Sequence, residues 1–512
     1  MNEIKHKRKR IIKESEILLT TSNLINNKSN NHLNFSNTDD KILRDIGTLA
    51  DAHNFQVYAV GGIVRDAILG YNKQDYDFTV VGDSIEFAKI VAEFYHSKPV
   101  IYQKFLTAMV PVGKDIKLEF VGTRKEIYEP NSRNPIVSIG TLNDDLQRRD
   151  FSINTLAIAL NKGKFGEIID IFGGIEDIEK KIIRTPLEPL KTFSDDPLRM
   201  IRAERFASQL EFDIEPSTHS AAKEMSNRIE IISKERISNE LLKILQSRKP
   251  SIGLNYLSQM DLLQYIFPEL EALKGVEIVQ EGQKQFAHKD VFRHTLKVVD
   301  NISQMTENVW LRFAALLHDI AKPQTKRFVA NIGWTFYGHE EVGANMAEKI
   351  FRKMKMPLEN VPYIQKLIRL HQRPMMLVDN SVTDSAIRRL AFQAGDALED
   401  LIILCKADIT TKNPNLTQEY LHNYEIVMNK VIEVQEKDKL RQFESPVRGE
   451  EIMDYCNLKP CKAIGIIKSN IEEAILDGII PNEYDAAKKY FIENIDDWFH
   501  HIPNSEKIFA DL

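Results

Sequence analysis

The chain has 512 residues, too many for one ordinary hydrophobic core, so two to four domains are expected. Its 43% hydrophobic and 28% charged content is that of a soluble globular protein and excludes a disordered one. No run of about 18 apolar residues occurs, which excludes a membrane-spanning helix, and a formal charge of −6 excludes a chain that is basic throughout. Any RNA partner must then be met by local basic patches, because phosphate contacts need Lys and Arg only where the backbone lies.

Taken in order, residues 5–10 are strongly basic and run into an Asn-rich stretch to about Asn37. With no apolar h-region, residues 1–39 read as a solvated extension outside the fold. From Asp40 a helical pattern leads into the β-rich run 55–60, which ends at Gly61-Gly62. A helix is expected over 64–69, closed by Gly70, then strands near 77–81, 107–112 and 116–121, a small α/β unit that ends near Pro186. From Asp195 to about Arg248 apolar residues recur at three- and four-residue spacing, the helical period. Residues 255–435 are again helical. Beyond Ser445, helices are expected near 449–455 and 464–477. The three cysteines, Cys405, Cys456 and Cys461, are odd in number and form no CxxC pair. They suit a reducing cytoplasm better than a disulfide framework or a zinc ribbon.

Two constellations carry chemistry. The first combines Gly61, Gly62, Arg65 and Asp66 with Asp75 and Asp77. A strand, a glycine pair and a helix start let backbone N–H groups face a phosphate without Cβ interference. Residues two apart on a strand project from one face, so Asp75 and Asp77 can together hold two Mg²⁺ ions about 3.5–4 Å apart for in-line phosphoryl transfer. Glu119, on a later apolar strand, is a candidate third carboxylate. A lone DxD is common on idle strands and a lone glycine pair is usually a turn; their order and closeness give the pattern its force.

The stretch from Val60 to Gly70, followed by Asp75-Tyr-Asp-Phe78, resembles the opening motif of the CCA-adding enzymes and poly(A) polymerases of bacterial type. Arg148-Arg-Asp-Phe-Ser-Ile-Asn154 resembles their second motif, which implies that Arg149, Asp150 and Asn154 hold the incoming triphosphate and ribose. Residues 170–174 resemble the third motif, and Ser194-Asp-Asp-Pro-Leu-Arg199 the fourth, with Asp195 in place of the usual Glu. Residues 233–240 resemble the fifth and add Arg236 to the nucleotide-binding set. Pro197 suits a first helical turn, so Asp196 and Arg199 are expected on one helical face. A carboxylate beside a guanidinium matches the amino group and ring nitrogen of cytosine or adenine, and leaves guanine and uracil unpaired. Standing alone, the two would read as an i,i+3 surface ion pair. Residues 104–109 and 119–124, and the segment 446–478, look more like the CCA-adding branch than the poly(A) branch. Enzymes that add only CC or only A share these motifs, and the loop 129–141 bears on that choice.

The second constellation is His294, His318, Asp319, His339, His371 and Asp408. Six imidazoles and carboxylates suit divalent transition metals. The set resembles the HD phosphohydrolase superfamily in its two-metal form, which implies metal-assisted attack of water on a phosphate ester. A retained helical scaffold that cuts nothing is the plain alternative, and His288 stands outside the set.

These readings converge on an α+β protein: a nucleotidyltransferase head at 40–187, a helical neck at 188–254, an HD domain at 255–435 and a helical tRNA-binding tail at 436–512. The expected function is template-independent addition of C, C and A to the tRNA 3′ end from CTP and ATP. Mg²⁺ is expected at the head and Mn²⁺, Ni²⁺, Co²⁺ or Fe at the HD site. A phosphohydrolase with an RNA-binding head is the alternative from another class.

Overall fold

The computed structural model describes residues 37–71, 75–127, 136–275, 277–281, 284–287, 290–378, 382–438 and 445–501. The extension before Asn37, most of the loop 129–141 and His288 lie outside them. The chain divides into two compact units, Met1–Glu271 and Ala272–Leu512.

The first unit opens with helix α1 (Asn37–Ala52) and is built on strands β1 (Gln56–Val60), β2 (Asp75–Val81), β3 (Val100–Tyr102), β4 (Thr107–Val112), β5 (Ile116–Gly122), β8 (Ala157–Ala159) and β9 (Ile168–Ile169). They form one mixed sheet in the order β3-β4-β5-β2-β1-β8-β9, in which β2 and β5 run parallel and the other neighbours antiparallel. Alternation divides the sheet into two faces. Phe78, Ala108 and Phe120 point to one face and are fully buried there. Helix α3 (Ser84–Phe94) covers that face, with Phe87 set edge-on to Phe120 at 5.6 Å. Asp83 starts α3 by accepting from the backbone N–H groups of Ile85 and Glu86. Residues 77 and 119 belong to the opposite face, which is left for chemistry.

Helix α2 (Gly62–Ile68) follows β1 directly. It starts two residues earlier than its apolar pattern suggests, because Gly61 turns the chain at φ 74°. The hairpin of β6 (Arg124–Ile127) and β7 (Ile136–Ile139) leads to α4 (Leu142–Gln147), whose Leu146 packs on Val60 and Ala157. The remainder is helical apart from a short parallel pairing of 182–183 with 213–214: α5 (Gly174–Lys180), α6 (Pro189–Asp195), α7 (Leu198–Leu210), α8 (Pro216–Glu224), α9 (Lys234–Leu245) and α10 (Pro250–Gln259). Pro at the first turn begins α6, α8 and α10. Helix α10 lies so close to α7 that a Cβ at Gly253 would fall 2.9 Å from the Glu204 carbonyl oxygen.

The second unit packs α11 (Val291–Ser303), α12 (Val309–Leu317), α13 (His339–Met354), α14 (Val361–Leu370), α15 (Asp384–Ala394), α16 (Leu398–Ala407) and α17 (Pro414–Asp438). Helix α12 is apolar except for Arg312, and Phe313 to Leu317 are fully buried. The Arg312 guanidinium is buried as well and donates to the carbonyls of Ser303 and Thr306. Three further helices, α18 (Gly449–Cys456), α19 (Lys462–Leu476) and α20 (Tyr484–His501), close around Ile452, Ile467, Ile471 and Phe491. Among the described residues, no helix is long and apolar enough to cross a membrane.

Candidate functional sites

Gly61 ends β1 in the left-handed region, and a Cβ there would lie 2.9 Å from the Arg149 guanidinium. Only glycine lets the chain turn here and lets Arg149 approach. On α2, Arg65 donates to Asp66 at 2.8 Å and to Asn154 Oδ1 at 2.6 Å. The Asn154 amide donates in turn to Asp150 Oδ1 at 3.0 Å, and Arg202 grips Asp150 Oδ2 with Nε at 2.8 Å. Burial disfavours charge on Asp150, but Arg202 and Asn154 hold its carboxyl well below the usual carboxylate range. Arg149 is steadied by Asp145 at 3.3 Å. Side chains from three separate segments thus hold one another in fixed poses around a cleft of about 570 Å³.

The cleft takes in Gly61, Gly62, Arg65, Asp77, Arg149, Asp150, Asn154, Asp196, Arg199 and Arg236, nearly all of the residues expected at the first site. In the sheet, Asp77 pairs with Glu119 and Asp75 with Lys117. Asp77 borders the cleft; Glu119 lies one strand further out and is exposed. Two carboxylates at directly opposed positions on one face fit a divalent cation.

The expectation for Asp196 and Arg199 is corrected in one respect. Asp196 is extended and lies outside α7, where its carboxylate accepts from the Leu198 N–H. It forms no i,i+3 ion pair with Arg199. Its charged partner is Arg236 at 3.3 Å, while Arg199 donates to the carbonyl oxygens of Arg148 and Thr192. Those bonds fix the guanidinium without spending a carboxylate on it, and both residues still face the cleft.

Sequence reasoning did not single out Arg202, Arg205, Phe206, Gln209 or Lys243, all of which line the cleft. For the four on α7 the signal was the three- and four-residue spacing from Arg199 along that helix; Lys243, on α9, had no such signal. Phe206 is the hub, with the guanidinium carbons of Arg65, Arg202 and Arg205 at 5.1, 5.5 and 4.2 Å from its ring centroid. Burial and the neighbouring Arg202 push Arg205 down to about 10. Eight cationic side chains face four carboxylates here, so the cleft is positive although the chain is acidic.

The second unit gathers all six residues of the other constellation. His318 caps α12 and His371 caps α14; His339 opens α13, His294 lies on α11 and Asp408 ends α16. Nδ1 of His318, His339 and His371 lies 2.7, 2.8 and 2.7 Å from the carbonyl oxygens of Ala315, Phe336 and Ile368. A carbonyl only accepts, so each Nδ1 carries the proton and each Nε2 offers a lone pair. Those Nε2 atoms converge: His318 to His294 at 3.3 Å, and His339 to His371 at 3.4 Å. The Asp319 carboxylate lies between them, with Oδ2 3.3 Å from His318 and Oδ1 3.3 Å from His339.

Converging lone pairs around a buried carboxylate are unfavourable without a cation. His294, His318 and Asp408 form one group with metal-ligand spacing, and Asp319, His339 and His371 another. Burial works against charge on His318, yet Asp319 and Asp408 raise its pKa to about 10, so a proton occupies the Nε2 lone pair wherever a metal cation does not. Beside the six residues opens a cleft of about 750 Å³ that also contains Lys322, Trp334, Phe336 and Tyr420.

Comparison with known proteins matches this division. Residues 57–184 match the poly A polymerase head domain, 211–274 the probable RNA- and SrmB-binding site of polymerase A, and 291–413 the HD domain. The fold and the cleft are those of a nucleotidyltransferase that also carries an HD domain. The multifunctional CCA protein of Xylella fastidiosa is 32% identical over 373 residues, covering 69% of this chain and 83% of that protein. The chain belongs to the CCA-adding tRNA nucleotidyltransferase family. The A-adding tRNA nucleotidyltransferase of Deinococcus radiodurans is 28% identical over 87% of this chain and 96% of its own length. The A-adding enzyme of Geobacter sulfurreducens is 39% identical over 246 residues, and the chain spans only 28% of that protein. The Thermotoga maritima CCA-adding enzyme in complex with tRNA shares the fold at a TM-score of 0.55 and 22% identity, over 90% of this chain and 96% of that one.

Proposed function

We propose that the protein adds C, C and A to the 3′ end of tRNA from CTP and ATP without a nucleic-acid template. The observation that carries this reading is the positive cleft in which Asp196 and Arg199 face the same space as Asp77 and Arg149. The acceptor hydroxyl gives up its proton to solvent as its oxygen forms a bond to the α-phosphorus of the nucleotide. The bond to the bridging oxygen breaks, and pyrophosphate leaves with the electron pair. Asp75, Asp77 and Glu119 would hold Mg²⁺, which supplies acidity to the hydroxyl and neutralises charge on the phosphates. Gly61, Gly62, Arg65 and Arg149 bind the triphosphate, while Asp150 and Asn154 position Arg65 and the ribose. Asp196 and Arg199 select the base, and Arg236 holds the Asp196 carboxylate in place. We assign the head to 40–187, the neck to 188–254, the HD domain to 255–435 and the tail to 436–512. The three free cysteines suit a cytoplasmic enzyme.

For the HD site we propose metal-assisted hydrolysis of a phosphate ester. Mn²⁺, Ni²⁺, Co²⁺ or Fe bound by the six residues would supply an activated water. Lys322, 2.6 Å from Asp319 Oδ2, borders the same cleft.

Incorporation of labelled CTP and ATP into tRNA lacking its CCA end tests the transfer reading. Two C and one A, then a stop, is the expected result. Addition of A alone, and only to tRNA that already ends in CC, is the second reading; it is favoured by relatives of the A-adding kind. Open-ended A addition to diverse RNAs would instead mark a poly(A) polymerase. No incorporation by folded protein would leave a phosphohydrolase with an RNA-binding head.

A further inference from the structure

The nucleotide cleft takes in the β1–α2 turn and the segment 148–154, which leads into β8, so these walls lie on the β1–β8 side of β2; residues of α7 and α9 complete it. Asp77 is the last sheet residue to line it. Across β2, the same row continues through Glu119 on β5, Met109 on β4 and Val100 on β3, each directly opposite its neighbour. Opposed residues share a face, so these four side chains form one line away from the cleft.

That line lies open. Val100 is 42% exposed, Glu119 is exposed and Met109 is half-buried. The reverse face of the same strands carries Phe78, Phe120 and Ala108, packed beneath α3. Lys117 is exposed two residues before Glu119 on the same face, opposite Asp75. The open side is therefore an apolar strip with one carboxylate at its inner end and a cation beside it.

In-line displacement decides what belongs there. The entering oxygen and the leaving pyrophosphate must lie on opposite sides of the α-phosphorus. With the triphosphate held on the β1–β8 side, the acceptor hydroxyl has to arrive from the β5–β4–β3 side. We infer that Met109 and Val100, with Lys117 beside them, seat the 3′-terminal nucleotide of the RNA acceptor. The base or ribose lies on the Met109 thioether and Val100, and Lys117 meets the backbone phosphate behind it. Contacts to Met109 and Val100 carry no base-edge code, so this seat accepts whichever nucleotide ends the growing strand. The inference rests on the nucleotidyl-transfer reading.

The test uses the full chain, Mg²⁺, ATP and a tRNA transcript ending in CC, a substrate for either addition reading. Met109→Ala and Lys117→Ala should each lower kcat/KM for tRNA roughly tenfold, the scale of one lost stacking or phosphate contact, with KM for ATP unchanged. Ile101→Ala, on the reverse face of β3, should alter neither constant. Wild-type protein that adds no A would remove the transfer reading itself. Wild-type addition with Met109→Ala and Lys117→Ala within twofold of it would overturn the seat alone, as would a parallel rise in KM for ATP. Photocrosslinking provides a readout that needs no variant. A tRNA ending in a 4-thiopyrimidine should label the peptide 98–119; label confined to 198–245 would overturn the seat.

Discussion

At the scale of single residues, the cleft separates charges that bind from charges that choose. Asp77 is opposed by Glu119 across the sheet and borders the cleft, so Asp77→Asn should cut nucleotide incorporation by more than about a hundredfold, beyond what the loss of an outer metal partner does. Near-normal turnover by that variant would show that the carboxylates are idle. Asp196 sits apart from the row, tied to Arg236 and the Leu198 N–H. Asp196→Ala should therefore spare catalysis on the correct nucleotide more than it spares choice. Discrimination against UTP and GTP should fall roughly 10- to 100-fold, read from competing nucleotides in one reaction. Unchanged discrimination would place base choice elsewhere.

Glu204 is the odd charge of the same helix. It is fully buried, neither oxygen has a hydrogen-bond partner, and burial raises its pKa well above the usual glutamate value. The folded state keeps a proton that the unfolded chain releases above about pH 4.3. The unfolded state then binds fewer protons, so stability falls as pH rises toward the raised pKa, by up to about 1.4 kcal/mol per pH unit. Glu204→Gln removes that slope, and its stability advantage should grow from pH 5 to pH 8 in urea unfolding. Parallel curves for the two proteins would show that Glu204 is ionised in the fold.

At the scale of elements, the strands were the most readable part of the chain. The run 116–122 alternates between an open and a buried face, and Lys117 and Glu119 set between Ile116, Leu118 and Phe120 carry that two-residue period in sequence. The glycine pair was readable for a related reason: Gly61 needs φ 74° and lets a guanidinium come within reach of its Cα. Gly61→Ala should cost about 1–2 kcal/mol in backbone strain and raise KM for ATP and CTP as Arg149 is displaced. A variant with wild-type KM would show that Arg149 does not meet the triphosphate. Less readable was how α6 gives way to α7. Pro197 announces a first turn, but Asp196 was placed on that helix when it precedes it, and the Arg236 contact spans 40 residues of chain. The second row of cationic residues on α7 was hidden for the same reason: only packing decides that Arg202 turns toward Asp150 rather than solvent. The residue types over 294–408 and their resemblance to the HD superfamily pointed to the six candidate metal ligands, but not to how Asp319 divides its two oxygens between His318 and His339.

At the scale of the molecule, the two units carry sites of opposite character. The first is a positive cleft suited to a triphosphate, and the second a neutral-to-acidic nest of imidazoles and carboxylates suited to a transition metal. Hard oxygen donors favour Mg²⁺ and imidazole favours Ni²⁺, Co²⁺ or Fe²⁺, so the activities should separate by ion as well as by mutation. Asp319→Asn takes a negative charge from the carboxylate that faces His318 with one oxygen and His339 with the other, and should abolish Ni²⁺- or Mn²⁺-dependent phosphate release from a generic phosphodiester. It should leave Mg²⁺-dependent A addition to CC-ended tRNA within about twofold of wild type, because sites without shared partners act additively. Asp77→Asn should do the reverse. Loss of nucleotide addition in Asp319→Asn, with melting temperature unchanged, would show that the HD site is coupled to transfer. Phosphate release that survives Asp319→Asn but not Asp77→Asn would move the hydrolytic activity to the first unit and leave the imidazole nest a structural support.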